Sequence, residues 1–150
     1  MNLTIRKILP ATLDHLHEAM EFVTAFAAGR GFSPGRIMEI ELTLEEALVN
    51  IISYAYPGAA GEMEISCTVG GPDRFILEIS DQGIPFDVLS IAEPDLMADV
   101  EERKVGGLGV YLIKKLMDDV VYRREEGRNI LSMTVAKEKP AGGDGTHSLL

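Results

Sequence analysis

The alternation of apolar and polar residues predicts five β-strands. It marks the segments 3–9, 62–69, 74–81, 120–124 and 129–136. In the third segment Phe75, Leu77 and Ile79 share one face, which we expect to meet the core. Turn-forming residues at 70–73 and 125–128 join neighbouring segments, so four of the five strands are predicted to form two hairpins.

An apolar period of about 3.6 residues predicts three helices. The first begins after Thr12, which can act as its N-cap, and ends near Gly29. The second begins at Ser33-Pro34, a capping residue followed by proline at the first helical position, and runs to about Ala55. The third covers residues 109–119.

Each helix has one apolar side that we expect to face a core. The apolar stripe of the first helix consists of Leu13, Leu16, Met20, Val23 and Phe26 or Ala27. The second helix has a stripe of Ile40, Leu44, Leu48 and Ile51. The third is predicted to bury Leu108, Leu112 and Leu116. Its polar side chains, expected to point away, are Lys114, Lys115 and Asp118.

The predicted order of elements is β-α-α-β-β-α-β-β, with most strands in hairpins. This order favours the α+β class: a two-layer α/β sandwich with a mostly antiparallel sheet and helices on one face. We expect one domain over residues 1–138. The segment 139–150 has no apolar period and is predicted to be a disordered tail.

Charge and composition exclude several functional classes. The chain has 150 residues and a formal net charge of −10, which opposes nonspecific binding to nucleic acid or to an anionic membrane. It has no apolar run of about 20 residues, so no transmembrane helix is predicted. The single cysteine, Cys67, and the three histidines lack zinc-ligand spacing. A cytoplasmic location fits this cysteine usage.

The second predicted helix carries a carboxylate and a carboxamide four residues apart. Glu46 and Asn50 therefore lie on one helical face, separate from the core stripe. A carboxylate can accept a proton or orient a hydroxyl group, and an amide oxygen is a suitable ligand for Mg²⁺. The alternative is an ordinary solvated pair on an exposed helix.

Asp81 ends the third predicted strand within "EISDQGIPFD". If the strand continues through it, Asp81 shares the core-facing side, where a lone charge is costly and a ligand with N–H donors, such as adenine, would satisfy it. Gly83 would permit a close approach of a ligand or of the backbone. The alternative is that Asp81 only opens a turn with the two residues that follow.

Glycines precede the third predicted helix in "RKVGGLGVYL". Bare N–H groups at a helix N-terminus bind phosphate, and Arg103 and Lys104 would add positive charge nearby. The alternative is a hinge or a cap. The segment matches neither a P-loop, which requires Gly-Lys-Ser/Thr, nor the three-glycine pattern of a dinucleotide-binding fold.

In their order along the chain, these three segments resemble the N, G1 and G2 boxes of the GHKL (histidine kinase-like) ATPase superfamily. The segments "EEALVNIISYAY", "DQGIPFD" and "GGLGVYLIKKLMDDVVYRREEGRNILSMT" are similar to its anti-sigma factor serine/threonine kinase subfamily, over about residues 1–137. The chain departs from that subfamily at Tyr54, where many relatives have histidine. The resemblance implies the ATP-binding α/β sandwich of that superfamily.

The resemblance also implies roles for single residues. Glu46 matches the catalytic acid that acts as base or orients the hydroxyl group, and Asn50 matches the Mg²⁺ ligand. Asp81 matches the residue that binds adenine, and residues 89–105 match the lid over ATP. The implied nucleotide-binding set consists of Asn50, Asp81, Gly83, Arg103, Lys104, Gly106, Gly107, Leu108 and Gly109.

The function implied by the resemblance is an ATP- and Mg²⁺-dependent serine/threonine protein kinase. Its substrate would be a small anti-sigma-factor antagonist of the STAS type, and it would sequester a sigma factor as a homodimer. The alternative is a nucleotide-responsive binding module with little or no kinase activity. A generic ATPase domain from a larger machine is a third possibility.

Overall fold

A computed structural model gives the fold and describes residues 3–90 and 107–138. The strands in this part of the chain are β1 (Thr4–Pro10), β2 (Glu62–Val69), β3 (Arg74–Asp81), β4 (Asp119–Glu125) and β5 (Arg128–Ala136). The α-helices are α1 (Leu16–Gly29), α2 (Pro34–Tyr54) and α3 (Gly107–Leu116). Two single 3₁₀ turns lie at Leu13–His15 and Val88–Ser90. No helix of the described segments is long and apolar enough to cross a membrane.

The strands form one sheet in the order β1-β2-β3-β5-β4. Every neighbouring pair in it is antiparallel, and both predicted hairpins are present. Strand β5 lies beside β3, so the final hairpin extends the sheet made by the first three strands. This register sets Asp81 at the end of β3 opposite Asn129 near the start of β5.

The helices form the second layer of the molecule, and α2 packs between α1 and α3. The largest fully buried side chains come from the inward face of the sheet and from α1, α2 and α3: Phe75, Ile40, Leu44, Leu48, Met63, Ile65, Leu77, Ile79, Ile113, Met133, Val23 and Val110. The opposite sheet face carries polar pairs, such as Thr4 with Thr68 and Arg123 with Glu78. The predicted two-layer α+β sandwich is therefore confirmed.

Helix α2 begins as the sequence predicts. The Ser33 hydroxyl accepts a hydrogen bond of 3.1 Å from the Arg36 N–H, and Pro34 occupies the first helical position. This cap satisfies one of the donors left without an intrahelical partner. The helix then extends without interruption to Tyr54.

The predicted start of the first helix is wrong in detail. The Thr12 hydroxyl contacts His15 Nδ1 at 2.9 Å and caps no backbone N–H, and residues 13–15 form a separate 3₁₀ turn. Leu13 is consequently 65% exposed rather than part of the apolar stripe. Val23 and Ala27 of the predicted stripe are buried, together with Ala19, which was not predicted. The other predicted members, Leu16, Met20 and Phe26, are partly buried against the core.

The buried side of α3 also differs from the predicted stripe. Leu116 is buried as predicted, but the completely buried side chains are Val110 and Ile113, and Leu112 is only half-buried. The predicted burial of Leu108 lies outside the described side chains. The helix ends at Leu116, and the chain then turns so that Asp118 points inward rather than away. The apolar period of a short segment does not specify its rotation when apolar residues lie on more than one side.

The partner that draws Asp118 inward is Arg36, which is only 4% exposed. Arg36 Nη2 donates to Asp118 Oδ2 at 2.8 Å, and Nη1 donates to the Leu116 carbonyl oxygen at 2.6 Å. Nε donates to the Ala136 carbonyl oxygen at 2.8 Å, and Nη1 also contacts Glu39 Oε1 at 2.8 Å. One guanidinium therefore joins the start of α2 to the end of α3 and the end of β5.

We expect Arg36→Ala to lower the free energy of unfolding by about 3–5 kcal/mol, because it leaves the mostly buried Asp118 carboxylate without its cation. Arg6→Ala is the matched control, since the Arg6–Glu64 pair is exposed on the arginine side and such pairs contribute about 0–1 kcal/mol. Urea unfolding of both variants measures the difference. Equal losses for the two would contradict a structural role for the buried pair.

Candidate functional site

The later half of α2 brings Glu46 and Asn50 to one side of the helix, one turn apart. Asn50 is only 5% exposed and Glu46 is half-buried. The alternative of an ordinary solvated pair is therefore wrong for Asn50. The core stripe of α2 packs on the sheet. Because of this packing, the side of α2 that carries Glu46 and Asn50 faces the space between α2 and α3.

The Glu46 carboxyl group lies in a partly desolvated position. Burial raises its pKa above the ordinary value of 4.5, and the negative charge of the neighbouring Glu45 adds to the effect. A carboxylate whose pKa moves toward neutrality is a more effective proton acceptor at cellular pH. The position therefore suits a general base.

The first turn of α3 packs directly on this carboxyl group. A Cβ atom at Gly109 would overlap the carboxyl end of the Glu46 side chain, so only glycine permits this approach. Gly109 is buried, and Gly107 is the first residue of the helix. The N-terminal end of α3, where backbone N–H groups lack intrahelical partners, therefore lies beside Glu46.

Asp81 occupies the end of β3 and is 5% exposed. The strand does continue through it, so it shares the inward face of the core residues. Its Oδ1 also accepts a hydrogen bond of 2.8 Å from the Gly83 N–H. The structure thus combines the two alternatives: Asp81 is an inward carboxylate and also organises the turn that follows.

Asn129 is a site residue that the sequence analysis missed. Its Nδ2 donates to Asp81 Oδ1 at 2.9 Å and to the Ile84 carbonyl oxygen at 2.8 Å. Its Oδ1 accepts from the Tyr122 hydroxyl at 2.6 Å and from the Phe86 N–H at 3.2 Å. The available signal was a polar residue at an inward position of β5, where the alternation otherwise places apolar side chains.

Hydrogen bonds from several elements hold the turn after Asp81. The Ile84 N–H donates to the Ala55 carbonyl oxygen at 2.9 Å, and Arg124 donates to the Gly83 carbonyl oxygen at 2.9 Å. A Cβ atom at Gly83 would overlap that same Ala55 carbonyl group. The predicted close approach at Gly83 is therefore an approach of two backbone segments.

A pocket opens between α2, the inward end of the sheet and this turn. Its empty volume is about 440 Å³ when the open mouth is included. The lining is mostly apolar with a few polar groups, which is the usual composition of a small-molecule site. The lining residues are Ala47, Asn50, Ile51, Ala55, Ile79, Asp81, Phe86, Val88, Tyr122, Asn129 and Leu131.

Asn50 has the properties required of a group that binds a ligand. Its side-chain nitrogen is buried and has no hydrogen-bond partner among the described residues. Such an unpaired N–H donor costs about 1–3 kcal/mol, which an acceptor atom of a ligand in the pocket would offset. Within residues 3–90 and 107–138, no group of three or more His, Cys, Asp or Glu side chains could hold a metal. The side-chain oxygen of Asn50, as a single protein ligand, fits Mg²⁺, which keeps several of its waters.

Several predicted residues lie outside the described part of the chain. These are Arg103, Lys104 and Gly106, together with residues 91–105 of the expected lid and the tail from 139 to 150. Gly107, Leu108 and Gly109 belong to the first turn of α3. Tyr54 is an exposed residue whose ring centroid lies 6.1 Å from that of Phe86, at the edge of the pocket.

Comparison with known proteins agrees with this geometry. Residues 9–135 match the family described as "Histidine kinase-like ATPase domain". The chain is 29% identical over 136 residues to a serine-protein kinase RsbW of Listeria monocytogenes, covering 87% of this chain and 86% of that one. It is 28% identical over 141 residues to a serine-protein kinase RsbW of Bacillus cereus, covering 91% and 88%.

Solved structures show the same fold at low sequence identity. The RsbU and RsbW domains of a Mycobacterium tuberculosis protein align with a TM-score of 0.61 and 15% identity, covering 89% of this chain and only 32% of that one. The SiaB–SiaC complex of Pseudomonas aeruginosa gives a TM-score of 0.57 and 15% identity, covering 87% and 88%. Because the family match spans most of the sequence, the chain belongs to the histidine kinase-like ATPase domain family.

Proposed function

We propose that the protein is an ATP-dependent serine/threonine protein kinase that acts on another protein. The observation that carries the proposal is the packing of the first turn of α3 on Glu46, with Asn50 and Asp81 lining the adjacent pocket. The relatives named serine-protein kinase RsbW match over nearly their whole length. This similarity favours transfer of the phosphoryl group to a protein over simple hydrolysis of ATP.

The proposed binding mode places adenine in the pocket and the phosphates toward α3. The Asp81 carboxylate would accept a hydrogen bond from the amino group of adenine. Backbone N–H groups at Gly107 and Gly109 would bind phosphate oxygens, aided by the positive end of the helix dipole. Gly83, Leu108, Arg103, Lys104 and Gly106 complete the proposed nucleotide-binding set.

Glu46 is the proposed catalytic residue. It would accept a hydrogen bond from the serine hydroxyl of the substrate and take its proton as the oxygen attacks the terminal phosphorus, while the bond from that phosphorus to the bridging oxygen breaks and ADP leaves. Phosphoryl transfer depends mainly on positioning and on charge neutralisation, so holding this hydroxyl in line is the main task of the residue. Asn50 would hold Mg²⁺, which neutralises phosphate charge when it is bound.

The proposed partner is a small STAS-type anti-sigma-factor antagonist, which would present the serine. We further propose that the protein sequesters a sigma factor, acts as a homodimer and works in the cytoplasm. The support is the resemblance of the three sequence segments to the anti-sigma factor kinases and the similarity to the RsbW proteins.

We expect Glu46→Gln to reduce phosphoryl transfer about 10²- to 10⁴-fold while leaving nucleotide binding intact, because a carboxamide cannot accept the proton. The assay combines γ-labelled ATP, Mg²⁺, the purified chain and lysate of its own organism. Glu41→Gln is the control, since Glu41 is exposed on the same helix. A small protein labelled by the wild type and by the control, but not by Glu46→Gln, is the expected result.

Intact nucleotide binding without any label that depends on Glu46 would contradict the kinase proposal. It would favour the alternative of a nucleotide-responsive binding module. High ATP turnover without a protein acceptor would instead indicate a generic ATPase domain.

Gly109→Ala is expected to lower phosphoryl transfer by about 10²-fold, because the new methyl group displaces the Glu46 carboxyl group from its position. The fold should survive, since the displaced atoms are the far end of a flexible side chain. Gly29→Ala is the control, because a Cβ atom there meets nothing within 4 Å. Transfer assays and thermal unfolding are measured together, and full activity of Gly109→Ala would contradict the proposed role of this contact.

The stability of the wild type should respond to the Glu46 charge. Because the folded protein raises the pKa of Glu46, this group favours the folded state most below its ordinary value of 4.5, and the contribution is lost as the pH rises through the folded value. Glu46→Gln should therefore be more stable than the wild type at neutral pH, with the difference shrinking on acidification. Thermal unfolding across pH tests this, with the exposed Glu41→Gln as control.

A further inference from the structure

The side chain of Asn129 uses its whole hydrogen-bonding capacity inside the pocket wall. A carboxamide offers two N–H donors and one oxygen with two acceptor sites. In this protein both donors and both acceptor sites have partners, which come from β3, β4 and the turn after β3. A buried polar side chain with all its bonds satisfied has one defined position.

The four partners also determine which way the amide faces. The Phe86 N–H can only donate, so it must meet the oxygen, and the Ile84 carbonyl can only accept, so it must meet the nitrogen. The nitrogen is thereby directed at Asp81 Oδ1 as well. Rotating the amide by 180° would place its N–H donors against the Phe86 N–H. It would also place its oxygen against the Ile84 carbonyl oxygen and Asp81 Oδ1.

This arrangement fixes the carboxylate of Asp81. Both hydrogen bonds to it from the described residues, from Asn129 and from the Gly83 N–H, end on Oδ1. Asn129 simultaneously holds the backbone at Ile84 and Phe86, and Phe86 lines the pocket. One residue of β5 thus controls both the acceptor group and the apolar wall beside it.

We infer that Asn129 is a positioning residue that orients Asp81 and the backbone at Ile84 and Phe86 for selection of a purine base whose amino group lies at C6. The inference rests on the proposed nucleotide site. Because both donors of Asn129 are already used, it offers none to the carbonyl oxygen of guanine, while the held carboxylate offers an acceptor to the amino group of adenine. Preference for ATP over GTP is therefore assigned to the Asn129–Asp81 pair.

The decisive variant is Asn129→Asp, which preserves shape and both acceptor contacts but replaces the two donors by an acceptor. At about pH 8 we expect the affinity for a non-hydrolysable ATP analogue to fall at least about 10-fold, as for other buried partners left unsatisfied. The affinity for the matching GTP analogue should fall less, so the ratio of the ATP-analogue affinity to the GTP-analogue affinity (the ATP-to-GTP ratio) drops. Isothermal titration with Mg²⁺ on the full chain measures both.

Acidification provides a readout that a general loss of packing would not move. In Asn129→Asp two carboxylates face each other and should share a proton at low pH, which restores a donor to Asp81. The other groups nearby are the Tyr122 hydroxyl and the guanidinium groups of Arg124 and Arg128, which contact Gly83 and Ser80. We therefore expect ATP affinity of the variant to recover by about pH 5.5, while that of the wild type changes little.

Gln82→Glu is the matched control, because it makes the same amide-to-carboxylate change on an exposed side chain beside Asp81. It should keep the wild-type ratio and pH profile. Tyr122→Phe supplies a second test without a new charge: it removes one bond to Asn129 Oδ1 and should lower the ATP-to-GTP ratio by a few-fold.

An unchanged ratio in Asn129→Asp, or in Tyr122→Phe if the first variant does not fold, would overturn the inference. Failure of the proposed function looks different, because then the wild type itself would bind neither analogue. Wild-type binding without loss in the variants leaves the nucleotide site intact and removes only the role of Asn129.

Discussion

The buried guanidinium of Arg36 connects the helical layer to the sheet. It lies in the first turn of α2 and bonds the last carbonyl group of α3, the carboxylate of Asp118 and the end of β5. A charge in such a position is costly unless it is paired and fully hydrogen-bonded, and here it has partners from three directions. The two helices are joined at this end, and at their other ends Gly109 of α3 lies against Glu46 of α2, beside the pocket.

The start of helix α2 therefore stabilises the fold, whereas its later turns carry the candidate site residues. Near its start, each nitrogen of the Arg36 guanidinium has a hydrogen-bond partner, although Asp118 Oδ1 has none among the described residues. Near its later turns, Glu46 is partly desolvated and Asn50 carries a buried nitrogen without a partner among the described residues. Polar groups left in this state lower stability, and finding them together beside a pocket is the pattern expected where a ligand completes the bonding.

The two sides of the pocket differ in how strongly they are held. Around Asp81 the backbone of the following turn is bonded to α2, β4 and β5, so the proposed base-binding side is organised in advance. Beside Glu46 the contact is a bare glycine on α3, which brings a backbone close without bonding it through a side chain. Such a division suits a reaction in which the nucleotide base is held still while the groups around the phosphates admit a second protein.

The sequence by itself determined the elements, their order, the α+β sandwich and the positions of Glu46, Asn50, Asp81 and Gly109, because strand alternation, helix caps and short motifs are local features. Their grouping as a nucleotide site followed from resemblance to a known family. The rotation of α3, the inward turn of Asp118 and the role of Asn129 were decided only by the tertiary structure. The last two depend on partners 82 and 48 residues away, which are Arg36 for Asp118 and Asp81 for Asn129. A local pattern records the polarity of a residue, but hydrogen bonds over such separations exist only after the sheet and helices have packed.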